Sequence, residues 1–276
     1  TFGAMSVSGL SVYNGPFEDY FIEVKRIPVP TDANLEGLLH ELENTMDLDA
    51  VAGFIYEPLV QGAAAMKMHK AEHLEKILKV IKSHGVLAIA DEVMTGFGKT
   101  GRHFASDYMT EKPDIICMSK ALTAGMLPMA VTSCTQNVYD AFYSDDIAKG
   151  LFHGHTYTAN PLACAAALAG IELLKSEGIQ KNIGQIIQWH QEFDAQIKDH
   201  PKVAATRQTG IIYALDLNIV MERYGNVRDK LFQHFMDAGG FLRPLGNTIY
   251  ISAPYIITKD QMQRIYDSIR DVLEKF

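Results

Sequence analysis

The sequence predicts an α/β protein: a mostly parallel sheet covered by helices, followed by a smaller α+β domain. Two observations carry this. Through residue 176, short apolar runs alternate with amphipathic helical stretches, the pattern of a parallel sheet with helical crossovers. Runs such as Val86-Leu87-Ala88-Ile89-Ala90 are apolar at every position, as suits strands covered on both faces. After Ser176 the alternation gives way to a long helix, fewer strands and two more helices. Residues 1–176 are therefore read as part of a large domain and 177–276 as a small one.

The predicted strands are 51–56, 86–90, 114–118, 129–133, 211–217 and 248–252. Helices follow from apolar spacing. Leu35, Leu38, Leu39, Leu42 and Met46 mark one, with Thr31 or Asp32 as N-cap. Leu74, Ile77, Leu78 and Ile81 mark another, ended by Gly85. Asn160 and Pro161 form an N-cap and first-turn proline, opening an alanine-rich helix to about Lys175. Ile183, Ile186, Ile187, Phe193 and Ile197 line a longer helix, and Leu231 to Met236 another, closed by Gly239-Gly240. Met262, Ile265, Ile269, Val272, Leu273 and Phe276 line the last.

Composition narrows the function. Of 276 residues, 47% are hydrophobic and 21% charged, which excludes a disordered or collagenous chain. The net charge of −8 argues against nucleic acid as a partner, though local donors can still hold a small anion. Cys117, Cys134 and Cys164 are odd in number, unclustered and set in apolar runs. They read as small buried hydrophobes in a reducing compartment. The segment 1–13 has no signal-peptide pattern, and the apolar stretch 161–174 is too short to span a membrane. A cytoplasmic protein without a membrane partner is expected.

Three charged positions follow predicted strands: Glu57, the pair Asp91-Glu92, and Lys120. In open α/β sheets ligands bind beyond the carboxyl ends of strands, so these groups can meet in one crevice. Any one of them alone reads as an ordinary loop residue. Gly96-Phe97-Gly98-Lys99-Thr100-Gly101 fits G-x-G-x-x-G, but no helix opens at its third glycine. It reads as a tight loop bending close to the crevice. His69-Lys70-Ala71-Glu72-His73 fits an inverted zinc-protease motif. The apolar face of that helix turns His69 and Glu72 to solvent, however, and no third ligand presents itself, so no metal is expected. Residues 153–161 offer hydroxyl and backbone donors to an anion just before a capped helix. Arg243, in an apolar stretch entering a strand, reads as a buried arginine that needs an anion, from a structural carboxylate or a substrate.

Four segments stand together in a specific order. They are Glu57-Pro58-Leu59-Val60-Gln61-Gly62, Asp91 through Gly101, Ser119-Lys120-Ala121-Leu122 and Asn160-Pro161-Leu162-Ala163-Cys164. The combination resembles the class III aminotransferases, pyridoxal 5′-phosphate (PLP) enzymes of fold type I, over nearly the whole chain. The stretches 153–161, 242–250 and 254–257 are most similar to members that aminate 8-amino-7-oxononanoate to 7,8-diaminononanoate in biotin biosynthesis. The alternatives are another ω-aminotransferase, of ornithine, 4-aminobutyrate or lysine type, and a non-catalytic fragment of such an enzyme.

The resemblance implies roles residue by residue. Lys120 is similar to the Schiff-base lysine and Asp91 to the partner of the pyridine nitrogen. Val93 packs near the ring, and Glu57 and Gln61 line the cofactor crevice. Thr156 resembles the hydroxyl that reaches the phosphate of a neighbouring subunit's PLP, which implies a homodimer with shared sites. Arg243 resembles the clamp for the keto substrate's carboxylate, with Tyr250 near it. Lys99 stands where relatives often carry arginine beside the substrate pocket, so the amino donor, S-adenosylmethionine or lysine, stays open. The partners implied are a small amino donor and a keto acid. The resemblance also implies an N-terminal part upstream of Thr1, with a glycine/serine phosphate loop and a stacking aromatic.

Overall fold

The computed structural model describes residues 1–221 and 225–275. It opens with a short helix, α1 (Phe2–Val7), a 3₁₀ turn and an extended segment that leads to α2 (Leu35–Asn44). Strand β1 (Gly53–Tyr56), the two-residue antiparallel pair β2 (Val60–Gln61) and β3 (Lys67–Met68), helix α3 (Ala71–Ser83) and strand β4 (Leu87–Asp91) follow. Then come β5 (Ile115–Met118), β6 (Val131–Cys134) and the short α4 (Gln136–Asp140). The order of the main sheet is β1-β4-β5-β6; the first three strands are parallel and β6 is antiparallel.

Why α3 packs where it does is visible in its spacing. Leu74, Ile77, Leu78 and Ile81 fall on one face. They bury against Leu38 and Leu42 of α2 and against Ala88 and Ala90 of β4. Gly85, at φ +74°, ends the helix as expected. The α2 cap is different from the expected one. Asn34 stands at the cap position, its Oδ1 accepting from the Thr31 amide at 2.7 Å, while Asp32 pairs with Lys70 at 2.7 Å and with His73 Nε2 at 3.0 Å.

The remainder is α5 (Pro161–Lys175), α6 (Glu177–Ile197), β7 (Val203–Thr209), β8 (Ile212–Leu217), α7 (Asn226–Asp237), β9 (Thr248–Ile251) and α8 (Lys259–Lys275). Asn160 caps α5 through Oδ1, which accepts from the amides of Leu162 and Ala163. Phe276 lies outside the described residues. Strands β7, β8 and β9 form an antiparallel sheet of their own. Its apolar face, the inner faces of α6, α7 and α8, and Phe97, Leu122, Ala167 and Leu174 share one core.

Strand β7 has no counterpart in the sequence reading. Its residues Val-Ala-Ala-Thr-Arg-Gln-Thr lack an apolar run, and pairing with β8 makes it a strand. There Arg207 makes a bidentate pair with Asp216, at 2.7 and 2.9 Å, and donates to the carbonyls of Met66 and Ala65. Thr248 Oγ1 donates to the same carboxylate at 2.6 Å. This cluster ties the C-terminal sheet to the β2–β3 loop. The cysteines also depart from expectation: Cys134 is exposed and Cys117 and Cys164 are half-buried, and all three are free thiols.

At the end of β4 the two adjacent acids go to opposite sides. Glu92 is fully buried and accepts four hydrogen bonds. Thr95 Oγ1 (2.7 Å) and the Ala105 amide (3.0 Å) reach Oε2, and the Ser106 amide and hydroxyl (both 2.7 Å) reach Oε1. Glu92→Gln places an amide where donors already point. It should lower stability by about 3 kcal/mol, the scale of one hydrogen bond to a charged group. The midpoint of urea unfolding checks this.

Candidate active site

The strand register decides which side chains meet. Tyr56 pairs with Ala90, and Asp91 pairs with Cys117. The carboxyl ends of β1, β4 and β5 therefore stand level, with Glu57 just past the first, Asp91 closing the second and Ser119-Lys120 just past the third. Glu57 feels both of the other charges. Burial raises the Glu57 carboxyl, the Gly62 amide (2.9 Å to Oε2) opposes that, Asp91 pushes it further up and Lys120 pulls it down.

Asp91 Oδ1 accepts from the Val93 amide at 3.0 Å, which fixes the carboxylate in place and sets Val93 beside it. Lys120 is exposed, at the start of a 3₁₀ turn, with a backbone φ of +35°. A lysine in that region is strained, and such strain gathers at functional sites. The hydroxyl of the preceding Ser119 donates to the Met129 carbonyl at 2.7 Å and braces the turn. Gln61 lies in β2, four residues beyond Glu57.

The loop at 96–101 bends as its glycines require. Phe97, Gly98 and Gly101 have φ of +60°, +97° and +92°. Lys99 is half-buried, its Nζ 5.0 Å from the centroid of Tyr255, and burial lowers it to about 8. Tyr255 OH donates to the Phe97 carbonyl at 2.5 Å. Across from the loop, Gly210 and Ile211 form the two-residue turn between β7 and β8. A Cβ on Gly210 would fall 2.2 Å from the Thr100 carbonyl carbon, so only glycine allows this approach. The Ile211 amide donates to the Lys99 carbonyl at 3.0 Å. Neither Tyr255 nor this turn was identified as part of the site from the sequence; the nearest signals were Pro254-Tyr255 beside an apolar run and the Thr-Gly pair before Ile211.

Two expectations, for Arg243 and His69, are not met. Arg243 is exposed, not buried: Leu242 and Pro244 on either side take the buried positions, and its side chain makes no hydrogen bond or ion pair among the described residues. Its need for an anion therefore does not come from burial. Thr156 stands exposed in the loop before α5. Tyr250 packs against the cluster of Leu59 and Val60 beside β2. The histidine pair serves the fold. His69 is turned inward rather than to solvent, Nε2 accepting from the Leu59 amide at 3.1 Å, and burial lowers it to about 4. His73 faces Asp32 instead.

The donor set fits PLP at two of its ends. A carboxylate held at Asp91 suits a protonated pyridine nitrogen, and the Lys120 amine suits an aldehyde. For the phosphate, Thr156 offers one exposed hydroxyl.

The family model for class-III aminotransferases matches residues 1–273, and the chain belongs to that family of PLP-dependent enzymes. Among its relatives, the adenosylmethionine-8-amino-7-oxononanoate aminotransferase of Synechococcus elongatus is 41% identical, over 100% of this chain and 66% of that protein. The enzyme of the same name from Geobacter sulfurreducens is 36% identical, over 98% and 64%. The solved structure of that enzyme from Methanocaldococcus jannaschii superposes with a TM-score of 0.87 at 30% identity, over 100% of this chain and 65% of the other. An omega-aminotransferase from Paracoccus denitrificans gives 0.85 at 28%, over 100% and 66%. The chain has their fold and spans about two thirds of the length of the curated relatives it matches.

Borohydride reduction of the PLP-loaded protein should leave a pyridoxyl group on Lys120. Peptide mapping reads the position, and a label on another lysine would refute the assignment.

Proposed function

We propose that this chain carries the cofactor and substrate residues of a transaminase that aminates 8-amino-7-oxononanoate to 7,8-diaminononanoate, the keto-to-amine step of biotin biosynthesis. The observation that carries the reading is the meeting of Glu57, Asp91 and Lys120 at three level strand ends. The substrate assignment rests on similarity, over the whole chain, to relatives bearing that enzyme's name.

When bound, PLP supplies an electron sink for the carbon that gains or loses a proton. Asp91 holds the proton on the ring nitrogen, which that sink requires. Lys120 Nζ would hold the aldehyde end and would carry the proton at the substrate's α-carbon. Glu57 and Gln61 line the crevice, and Val93 packs against the ring. Arg243 receives the keto acid's remote carboxylate, with Tyr250 and Lys99 along the pocket wall. Two copies share their sites in a cytoplasmic homodimer, Thr156 reaching the partner's phosphate. Residues 1–176 belong to the large domain and 177–276 to the small one. The exposure of Arg243, with both neighbours buried, supports a guanidinium presented to a ligand.

Asp91→Asn should keep the fold and cut turnover by about three powers of ten or more, since the electron sink depends on that proton. Steady-state rates with the native variant as reference check it, and near-normal turnover would place another group at the ring nitrogen. Arg243→Ala should raise KM for the keto acid at least about tenfold, the lower end of a charged hydrogen bond's worth. Single-turnover measurement of each half-reaction separates this from a structural effect: equal damage to the donor half would sink the clamp. Turnover with ornithine or 4-aminobutyrate and none with the keto acid would transfer the reading to another ω-aminotransferase.

A further inference from the structure

One buried titratable group has no part in the chemistry above. His190, in the middle of α6, is fully buried. It stacks on Tyr213, with centroids 5.4 Å apart, and meets Tyr266 edge-on at 5.9 Å. Its two ring nitrogens have different partners. Nε2 lies 3.1 Å from the Ile211 carbonyl and Nδ1 lies 2.8 Å from the Tyr266 hydroxyl. A carbonyl only accepts, so Nε2 carries the proton and Nδ1 accepts from Tyr266. Burial lowers the imidazole to about 4, so this neutral form persists through the physiological range.

Ile211 sits between His190 and the crevice loop. It is fully buried, where a carbonyl without a partner would be costly. His190 satisfies that carbonyl, and the amide of the same residue donates to Lys99. The turn is held from behind as well: Gln208 Nε2 donates to the carbonyls of Ile187 in α6 and of Gly210, both at 3.0 Å. Gly210 leaves no slack, because its missing Cβ would sit 2.5 Å from the Lys99 carbonyl oxygen. A displacement of Ile211 is therefore passed to the backbone of Lys99.

We propose that His190 is a positioning residue: through Ile211 it fixes the backbone of Lys99 and so sets where the Lys99 ammonium stands against Tyr255. The effect on turnover rests on the reading of Lys99 as a residue of the substrate pocket; the positioning itself does not.

The test reads Lys99 directly. The full native chain is briefly acetylated at one pH, and peptide mass spectrometry compares Lys99 with the exposed Lys25 and Lys175. His190→Phe keeps an aromatic ring but removes the Nε2 donor. It should raise relative Lys99 labelling about threefold, within the range of one net hydrogen bond. His190→Gln retains an N–H for the Ile211 carbonyl and should stay near the native value. Tyr266→Phe frees Nδ1 and should shift Lys99 in the same direction as His190→Phe by less; it carries the test if His190→Phe does not fold. Unchanged labelling in the folded variants, or equal labelling in His190→Gln and His190→Phe, overturns the proposal. Kinetics separate the two readings. His190→Phe should raise the KM of a substrate more than it lowers kcat, and add nothing in a Lys99→Ala background. A labelling change without a KM change keeps the positioning and removes Lys99 from the substrate pocket.

Discussion

The site depends on one constraint, the burial of Glu92 beside Asp91. Successive residues at a strand end point to opposite faces. Once Glu92 is committed inward, with four donors on its carboxylate, Asp91 faces the crevice. The same bonds close the loop behind it, because Thr95, Ala105 and Ser106 are gathered around one charge. A buried carboxylate is tolerable only when its oxygens are satisfied in this way. Here that satisfaction fixes both ends of the segment that carries Val93 and Lys99.

A second set of contacts fixes the loop that follows Asp91. The 96–101 loop is bent by its own glycines but placed by the C-terminal sheet, through Ile211 on Lys99 and Tyr255 on Phe97. Arg207 does the same for the β2–β3 loop next to Glu57. Residues from opposite halves of the chain thus hold these two loops in place. Glu57, Asp91 and Lys120 act at the strand ends without any of them being tied up in an ion pair among the described residues.

Much of this was legible in the sequence. The apolar runs before Glu57, Asp91 and Lys120 located three strands, and the rule that ligands bind beyond strand ends brought the charges together. Asn160-Pro161 announced its helix through cap chemistry that is local. What could not be read is what depends on partners distant in sequence. Strand β7 exists because β8 pairs with it. Arg243 was read as buried from its apolar neighbours, yet Leu242 and Pro244 take the buried positions and leave it outside. The fate of Glu92 was hidden because three of its four donors lie 13 or 14 positions away, in a 3₁₀ turn without a sequence signature. His69 was assigned by helical phase, but it precedes α3 and follows the loop instead.

The bond from Tyr255 to Phe97 spans 158 positions of chain. Contacts so distant in sequence are expensive to close and slow to form. A chain made from its N-terminus has its strand ends, with their acids and lysine, well before the sheet that holds the 96–101 loop. The strand ends and the loop beside them are therefore completed at different moments of biogenesis. The last third of this sequence, as it emerges and docks, is what fixes the 96–101 loop in place.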